Sequence, residues 1–172
     1  MLFRLIHSYK AFIKIIPVTK IHRRRETTID INCPEVLVVE DNLFQQNVVI
    51  TMLNTHKIKY EVAQNGTVAV DCYKRKIKDE DKLFTLILMD LSMPVKSGYE
   101  ATKEIRDIEN DERCKRTFIC GMSSDKSQVI QDKCIKSGMD HFLTKPITIS
   151  VLKNLIAEVH RKNNEENQSG NS

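Results

Sequence analysis

The sequence predicts an α/β fold, with a doubly wound, five-stranded parallel sheet and helices on both of its faces. Five short runs rich in Val, Ile, Leu and Met have the length and β-branching of buried strands. A longer segment with apolar residues at helical spacing follows each run. Strands and helices that alternate in this way form a parallel sheet, because each helix returns the chain to the edge where the next strand begins.

The strands are predicted from apolar runs that end at polar or turn-forming residues. The first run is VLVV at 36–39, and the third, LFTLILM at 83–89, is the most apolar strand of the chain. Asn65-Gly66 closes the second run with a turn signal. The predicted strands are residues 36–39, 58–62, 83–89, 117–121 and 140–143.

A helix is predicted after each strand, because apolar residues recur there at three- and four-residue steps. Gly138 stands where the fourth helix should end in a left-handed residue. Residues 78–82 are predicted to form a charged loop. The predicted helices are residues 44–53, 67–77, 99–108, 126–136 and 150–160. These ten elements fill residues 35–160, which we predict to be one domain.

The two ends of the chain differ from this domain. Residues 1–34 contain a basic amphipathic segment at 2–16 and a linker with the run Arg23-Arg24-Arg25. We favour a segment that docks weakly on the domain or a partner, or does not fold. The other interpretations are a targeting presequence and attachment to an anionic membrane surface, and membrane contact is not the expected role. Residues 161–172 are predicted to be a disordered polar tail.

Charge and composition exclude several classes of protein. Residues 1–25 carry seven Lys or Arg and no acid, so the rest of the chain, with 20 bases and 23 acids, is slightly acidic. Nucleic-acid binding by the domain is therefore not expected. The five cysteines form no CxxC pair, which indicates free thiols in a reducing compartment. No apolar run reaches the roughly 18 residues of a membrane span, so we expect a cytoplasmic protein.

Polar residues follow four of the predicted strands. Ligands of an open parallel sheet bind outside the carboxyl ends of the strands, where the strand order reverses. If the first and third strands are neighbours, three carboxylates converge there and repel unless a cation offsets them. Mg²⁺ suits a site with few carboxylates. A metal ion and a lysine together would neutralise the negative charge of a phosphoryl group while one carboxylate attacks it as the nucleophile. The residues concerned are Glu40, Asp41, Asp90, Ser123, Ser124 and Lys145.

Each of these residues has a simpler explanation when it is taken alone. Asp41 and the serines near 123 are common helix caps, Asp90 is a common turn residue, and Lys145-Pro146 is a common end to a strand. Coincidence is a poor explanation for complementary groups at four separate strand ends. The combination therefore favours phosphoryl transfer.

Four segments carry a family resemblance: VLVVEDN at 36–42, LILMDLSMP at 86–94, SGYEATKEIR at 97–106 and GMDHFLTKPI at 138–147. Together they resemble the receiver domain of response regulators, and most of all the receivers attached to hybrid histidine kinases. The resemblance covers about residues 35–160 and implies the flavodoxin-like strand order 2-1-3-4-5. The sequence departs from the family pattern at Val95-Lys96-Ser97, where Met-Asp often precedes the glycine, and at Ser124, where Ala or Gly is usual.

The resemblance implies a role for each site residue. Asp90 matches the phosphoacceptor, and Lys145, before a proline that resembles a cis-proline site, would contact the phosphoryl group. Ser123 matches the hydroxyl that moves toward that group, and Phe142 matches the aromatic whose rotamer reports the movement. The implied Mg²⁺ ligands are the carboxylates of Glu40, Asp41 and Asp90 and the backbone carbonyl of Ser92.

The implied function is two-component phosphorelay signalling and not catalysis on other substrates. The phosphoryl group would come from a histidine kinase or a histidine phosphotransfer protein, and a surface around the fourth strand, fourth helix and fifth strand would change for a downstream protein. The alternative is a pseudo-receiver that serves only as an interaction module, which the intact Asp90 and Lys145 argue against. A haloacid-dehalogenase-type phosphatase would need an Asp where Ser92 stands.

Overall fold

Five strands alternate with five helices, as the sequence predicts. The structure is a computed structural model that describes residues 36–78 and 83–169. The predicted segment at 2–16 and most of the predicted loop at 78–82 therefore lie outside the described residues. The elements are β1 (Val36–Val39), α1 (Leu43–Thr55), β2 (Tyr60–Ala63), α2 (Gly66–Lys78), β3 (Leu86–Asp90), α3 (Gly98–Glu112), β4 (Phe118–Ser123), α4 (Gln128–Ser137), β5 (His141–Thr144) and α5 (Ile149–Ser169).

All five strands are parallel and lie in the order β2-β1-β3-β4-β5. Val36 is in register with Tyr60 on one side and with Leu86 on the other, so β1 lies between β2 and β3. The predicted fold class and strand order are confirmed. The reversal of strand order brings the carboxyl ends of β1 and β3 next to each other, which is the position predicted for the site.

Alternate residues of the central strands fill two separate cores, one on each face of the sheet. Leu37 and Val39 pack with residues of α2, α3 and α4. Val36 and Val38 pack with residues of α1 and α5. Because both faces are covered, β1 and β3 are buried along their whole length, which explains their continuous apolar sequences.

A buried ion network lies at the opposite end of the sheet from the predicted site. Its centre is Arg106 on α3, and the Arg106 side chain is 10% exposed. The guanidinium donates to four acceptors, which are the carboxylates of Glu109 (2.6 Å) and Asp140 (2.7 Å) and the carbonyls of Thr117 and Gly138 (both 2.9 Å). Glu109 also accepts from the Tyr73 hydroxyl and from the Thr117 N–H. The network ties α3 to the residues that begin β4 and β5.

Several predicted boundaries were wrong. β3 begins at Leu86 and not at residue 83, although Phe84 is buried in the core just before the strand. The third helix continues past residue 108 to Glu112, and Glu109 in this added turn is bonded to Arg106 one turn earlier and to Tyr73 of α2. The disordered tail was predicted to begin at residue 161, but α5 continues to Ser169. Ion pairs between residues one helical turn apart, Arg161 with Glu165 and Lys162 with Glu158, support this extra length.

The end of the fourth helix agrees with the sequence prediction. α4 ends at Gly138, which has a left-handed φ of 98°. The cysteines of the described part, which are Cys72, Cys114, Cys120 and Cys134, are free. Within residues 36–78 and 83–169, none of the helices combines the length and the apolar character needed to cross a membrane.

Candidate functional site

A polar cleft of about 550 Å³ opens at the carboxyl ends of the strands. It gathers six of the seven predicted site residues, and the seventh, Phe142, is not part of its lining. The lining residues are Glu40, Asp41, Asn42, Gln45, Asp90, Ser92, Ser123, Ser124, Asp125 and Lys145. The sheet topology therefore brings the carboxyl ends of four strands together, as the sequence predicts.

Three carboxylates meet in this cleft. Glu40 and Asp41 directly follow β1, and Asp90 is the last residue of β3. One oxygen from each carboxylate lies within 4.8 Å of the others. Glu40 and Asp90 are 2% and 6% exposed, whereas Asp41 faces solvent. Glu40 and Asp90 are thus buried next to each other, and Asp41 lies on the solvent side of the cluster.

Lys145 supplies the cation among these acids. Its ammonium lies 2.6 Å from a Glu40 carboxylate oxygen and 3.1 Å from an Asp90 carboxylate oxygen. The Lys145 N–H donates to the carbonyl of Ser123 at 2.8 Å, which ties the ends of β4 and β5 together. The peptide bond from Lys145 to Pro146 is cis, as the resemblance implies. The lysine is therefore held by its backbone as well as by its charge.

The charges of the cleft fit a divalent cation. Burial raises the pKa of Glu40 and the charge of Asp90 adds to the rise, while the bond to Lys145 opposes it. Three carboxylates and one ammonium leave two negative charges uncompensated when all are ionised. Oxygen ligands at this spacing suit Mg²⁺, which binds through a few carboxylates and keeps several waters. The donor set therefore fits the predicted metal.

The turn between β1 and α1 is anchored by two residues to which the sequence reasoning gave no site role. Asn42 caps α1 through its side chain, and its N–H donates to the Glu40 carboxylate at 3.2 Å. The Gln46 side-chain amide donates to the Glu40 carbonyl at 2.9 Å. Gln46 lies three residues before Val49 and seven before Leu53, so all three share the buried face of α1. A polar residue on an otherwise apolar helix face is the sequence signal that would have identified Gln46.

The loop between β3 and α3 is held close to Asp90. A Cβ atom on Gly98 would lie 2.1 Å from the Asp90 carbonyl oxygen, so only glycine fits there. The Ser92 N–H faces the Asp90 carboxylate at 3.4 Å, while the metal contact expected of the Ser92 carbonyl stays a prediction. Lys96, in the segment that departs from the family pattern, accepts at its carbonyl from Gly66 N–H at 3.2 Å and pairs through its ammonium with Glu104.

The two predicted switch residues lie on neighbouring strands. Ser123 ends β4 on the cleft, where its hydroxyl accepts a hydrogen bond from the Asp125 N–H at 3.1 Å. Phe142 on β5 is partly buried against the core that packs on α2, α3 and α4. Gly121 of β4 is in register with Phe142, and Ser123 with Thr144. The two residues therefore lie on adjacent strands, and their movement stays a prediction.

A second hollow, of about 280 Å³, adjoins the cleft on the α1 side. It shares Glu40, Gln45, Ser124 and Lys145 with the cleft, and its other lining residues are apolar. Phe44, on its rim, is 78% exposed. The lining residues are Glu40, Phe44, Gln45, Val48, Val49, Met122, Ser124, Lys145, Pro146 and Ile147. An apolar surface thus lies directly beside the acidic site.

Comparison with known proteins identifies similar sequences. The family model of the response regulator receiver domain matches residues 36–157. Hybrid signal transduction histidine kinase K of Dictyostelium discoideum is 33% identical over 139 residues, covering 77% of this chain and 11% of that protein. The chain therefore spans a small part of the length of this curated relative.

Solved receiver structures are also similar. The receiver domain of Ssk1 from Saccharomyces cerevisiae, crystallised with the histidine phosphotransfer protein Ypd1, has a TM-score of 0.66 and 36% identity, with 72% of this chain and 86% of that chain covered. The receiver domain of the histidine kinase CKI1 from Arabidopsis thaliana, complexed with Mg²⁺ and BeF₃⁻, has a TM-score of 0.67 and 33% identity, with 74% and 90% covered.

Proposed function

The chain belongs to the family of response regulator receiver domains, and we propose that it takes a phosphoryl group onto Asp90 with Mg²⁺ bound beside it. The observation that carries the proposal is the cluster of Glu40, Asp41 and Asp90 within 4.8 Å, with Lys145 bonded to two of the three acids. This set has a nucleophile, a metal-binding pair and a fixed cation, which are the parts that phosphoryl transfer to a carboxylate requires.

The chemistry follows from these positions. An Asp90 carboxylate oxygen attacks phosphorus, the bond from phosphorus to the donor's imidazole nitrogen breaks, and that nitrogen leaves with the electron pair. Mg²⁺, when bound, neutralises charge on the phosphoryl oxygens. The ammonium of Lys145, 3.1 Å from Asp90, is placed to contact the same oxygens. Asp90 is almost fully buried, and its carboxylate faces the cleft, through which a donor can approach it.

We propose a histidine phosphotransfer protein or a histidine kinase as the donor. The similar Ssk1 receiver was crystallised with such a phosphotransfer protein. In this chain the apolar hollow beside the cleft, with Phe44 on its rim, offers a docking surface next to Asp90. The free cysteines of the described part suit the reducing cytoplasm in which we propose that the domain works.

The proposed output is a changed surface around β4, α4 and β5. A phosphoryl group on Asp90 offers acceptor oxygens to the Ser123 hydroxyl, which now accepts from the Asp125 N–H. A charge-assisted bond of this kind contributes about 1.5–3 kcal/mol, which shifts a two-state balance about ten- to a hundredfold. As Ser123 moves toward the cleft, Phe142 turns into the space behind it.

The test is phosphorylation by acetyl phosphate, read by intact mass. The wild-type protein should gain one phosphoryl group in the presence of Mg²⁺ and none when Mg²⁺ is chelated. Asp90→Asn keeps the shape and removes the nucleophile, so its adduct should be absent. A full adduct in Asp90→Asn would refute the assignment of the acceptor. No adduct on the wild-type protein would favour the alternative, a pseudo-receiver that acts as an interaction module.

A further inference from the structure

Gln46 is a buried polar residue on the core-facing side of α1. It is 7% exposed and shares this side of the helix with Val49 and Leu53. A glutamine in such a place costs stability unless its amide is hydrogen-bonded. Its amide nitrogen donates to the carbonyl of Glu40 at 2.9 Å. The bond joins the first turns of α1 to the end of β1.

The acceptor of this bond is the peptide group that joins Glu40 to Asp41. A peptide group is planar, so fixing its carbonyl oxygen fixes the direction in which the chain enters Asp41. The other bonds of Glu40 do not act on this plane: the Glu40 N–H donates to the Ala63 carbonyl, and the Glu40 carboxylate accepts from Asn42 and Lys145. The carbonyl is therefore held by Gln46, six residues along the chain.

Asp41 depends on this anchor more than the other two acids do. Glu40 and Asp90 are buried and paired with Lys145, so their carboxylates have fixed surroundings. Asp41 faces solvent, and its place in the cluster is set by the backbone that carries it. A rotation of the peptide group before Asp41 would carry its carboxylate away from the other two.

We propose that Gln46 is a positioning residue for the metal site. Gln46 holds the Glu40–Asp41 peptide group so that the Asp41 carboxylate points at Asp90. The inference rests on the proposed function of the cleft as a Mg²⁺ site. Gln46 would touch neither the metal nor the phosphoryl group and would act through the backbone. Groups that orient metal ligands typically change metal affinity by about 10- to 100-fold when they are removed.

The test compares Mg²⁺ affinity in two variants that each lose one buried bond from a side chain to a backbone carbonyl. Gln46→Met keeps the length and shape of the side chain without the donor. Ser137→Ala is the matched control, because the buried Ser137 hydroxyl donates to the Cys134 carbonyl at 2.7 Å at the far end of α4. Titration of Mg²⁺ is followed by amide chemical shifts, and urea unfolding gives the stability of each protein.

Gln46→Met should bind Mg²⁺ about tenfold more weakly than wild type, and the Asp41 amide should already be shifted in the metal-free protein. Ser137→Ala should lose stability and keep wild-type affinity. Gln46→Asn, one methylene shorter, gives a second variant if Gln46→Met does not fold, with the same expected weakening. Wild-type affinity in the folded Gln46 variants would overturn the positioning role alone. Failure of the wild-type protein to bind Mg²⁺ would overturn the proposed metal site itself.

Discussion

Replacing Arg106 by Met should be one of the most destabilising single changes in the domain. The substitution keeps most of the apolar stem but removes four hydrogen bonds, to two carboxylates and two carbonyls. Glu109 is 5% exposed and would lose its only cation among the described ion pairs. Removing one partner of a buried ion pair lowers the free energy of unfolding by about 3–5 kcal/mol. We expect about 3 kcal/mol, because Glu109 keeps the Tyr73 hydroxyl as a donor.

Urea unfolding followed by circular dichroism measures this loss, and Arg116→Met is the control. Arg116 pairs with the same acid, Asp140, but its side chain is 56% exposed, so its loss should cost less than about 1 kcal/mol. Combining Arg106→Met with Glu109→Gln should cost less than the sum of the two single changes, because the second change removes the stranded charge. If Arg106→Met costs no more than Arg116→Met, the network does not stabilise the fold as argued.

Three further predictions concern the cleft and its supports. Asp41→Ala should abolish Mg²⁺ binding, as followed by amide shifts, with unchanged or raised stability, because one of three repelling acids is removed; unchanged affinity would make Asp41 a turn residue only. Ser123→Ala should still accept phosphate but lose most of the beryllofluoride-induced shift changes at Phe142, and equal changes in both proteins would rule out the coupling. Hydrogen bonds from Lys96 and Lys74 lower the pKa of Glu104 below its usual 4.5. The ionised Glu104 side chain therefore stabilises the fold above pH 4.5, and this stabilisation is lost as the pH falls through the lowered pKa. Wild type and Glu104→Gln should therefore differ in stability at pH 7, and the difference should shrink as the pH falls below 4.5. A difference that stays constant as the pH falls would refute this.

The site was predictable because each of its main residues directly follows an apolar strand. Parallel strands send their carboxyl ends to one edge of the sheet, so Asp90 and Lys145 could be placed together from the sequence. The strand order came from the resemblance, since periodicity does not reveal which strands are neighbours. Predicting the fold therefore required both the periodicity, which gives the strands and helices, and the resemblance, which gives the strand order. The structure agrees with both predictions.

What the sequence did not reveal depends on particular contacts of single side chains, both near and far along the chain. Glu109 lies in the unpredicted last part of α3, where it is bonded to Arg106 one turn earlier and to Tyr73, 36 residues before it. The extra length of α5, in a segment whose composition indicated disorder, carries two ion pairs between residues one helical turn apart. Gln46 supports the site through a backbone carbonyl, a group that a sequence pattern does not display. These features depend on which atoms meet in the folded chain, and the propensities of single residues do not show that.

The order of the strands along the chain also sets the order in which the charges of the site meet. Domains are synthesised from the amino end, so Glu40, Asp41 and Asp90 all leave the ribosome before β4. Lys145 follows β5, the last strand, and it bonds to both buried acids. A nascent chain that has made only the first three strands would bring its carboxylates together without this cation. The arrival of β5 completes the sheet and brings an ammonium that offsets part of that repulsion, so the acidic half of the site favours the finished domain over a truncated one.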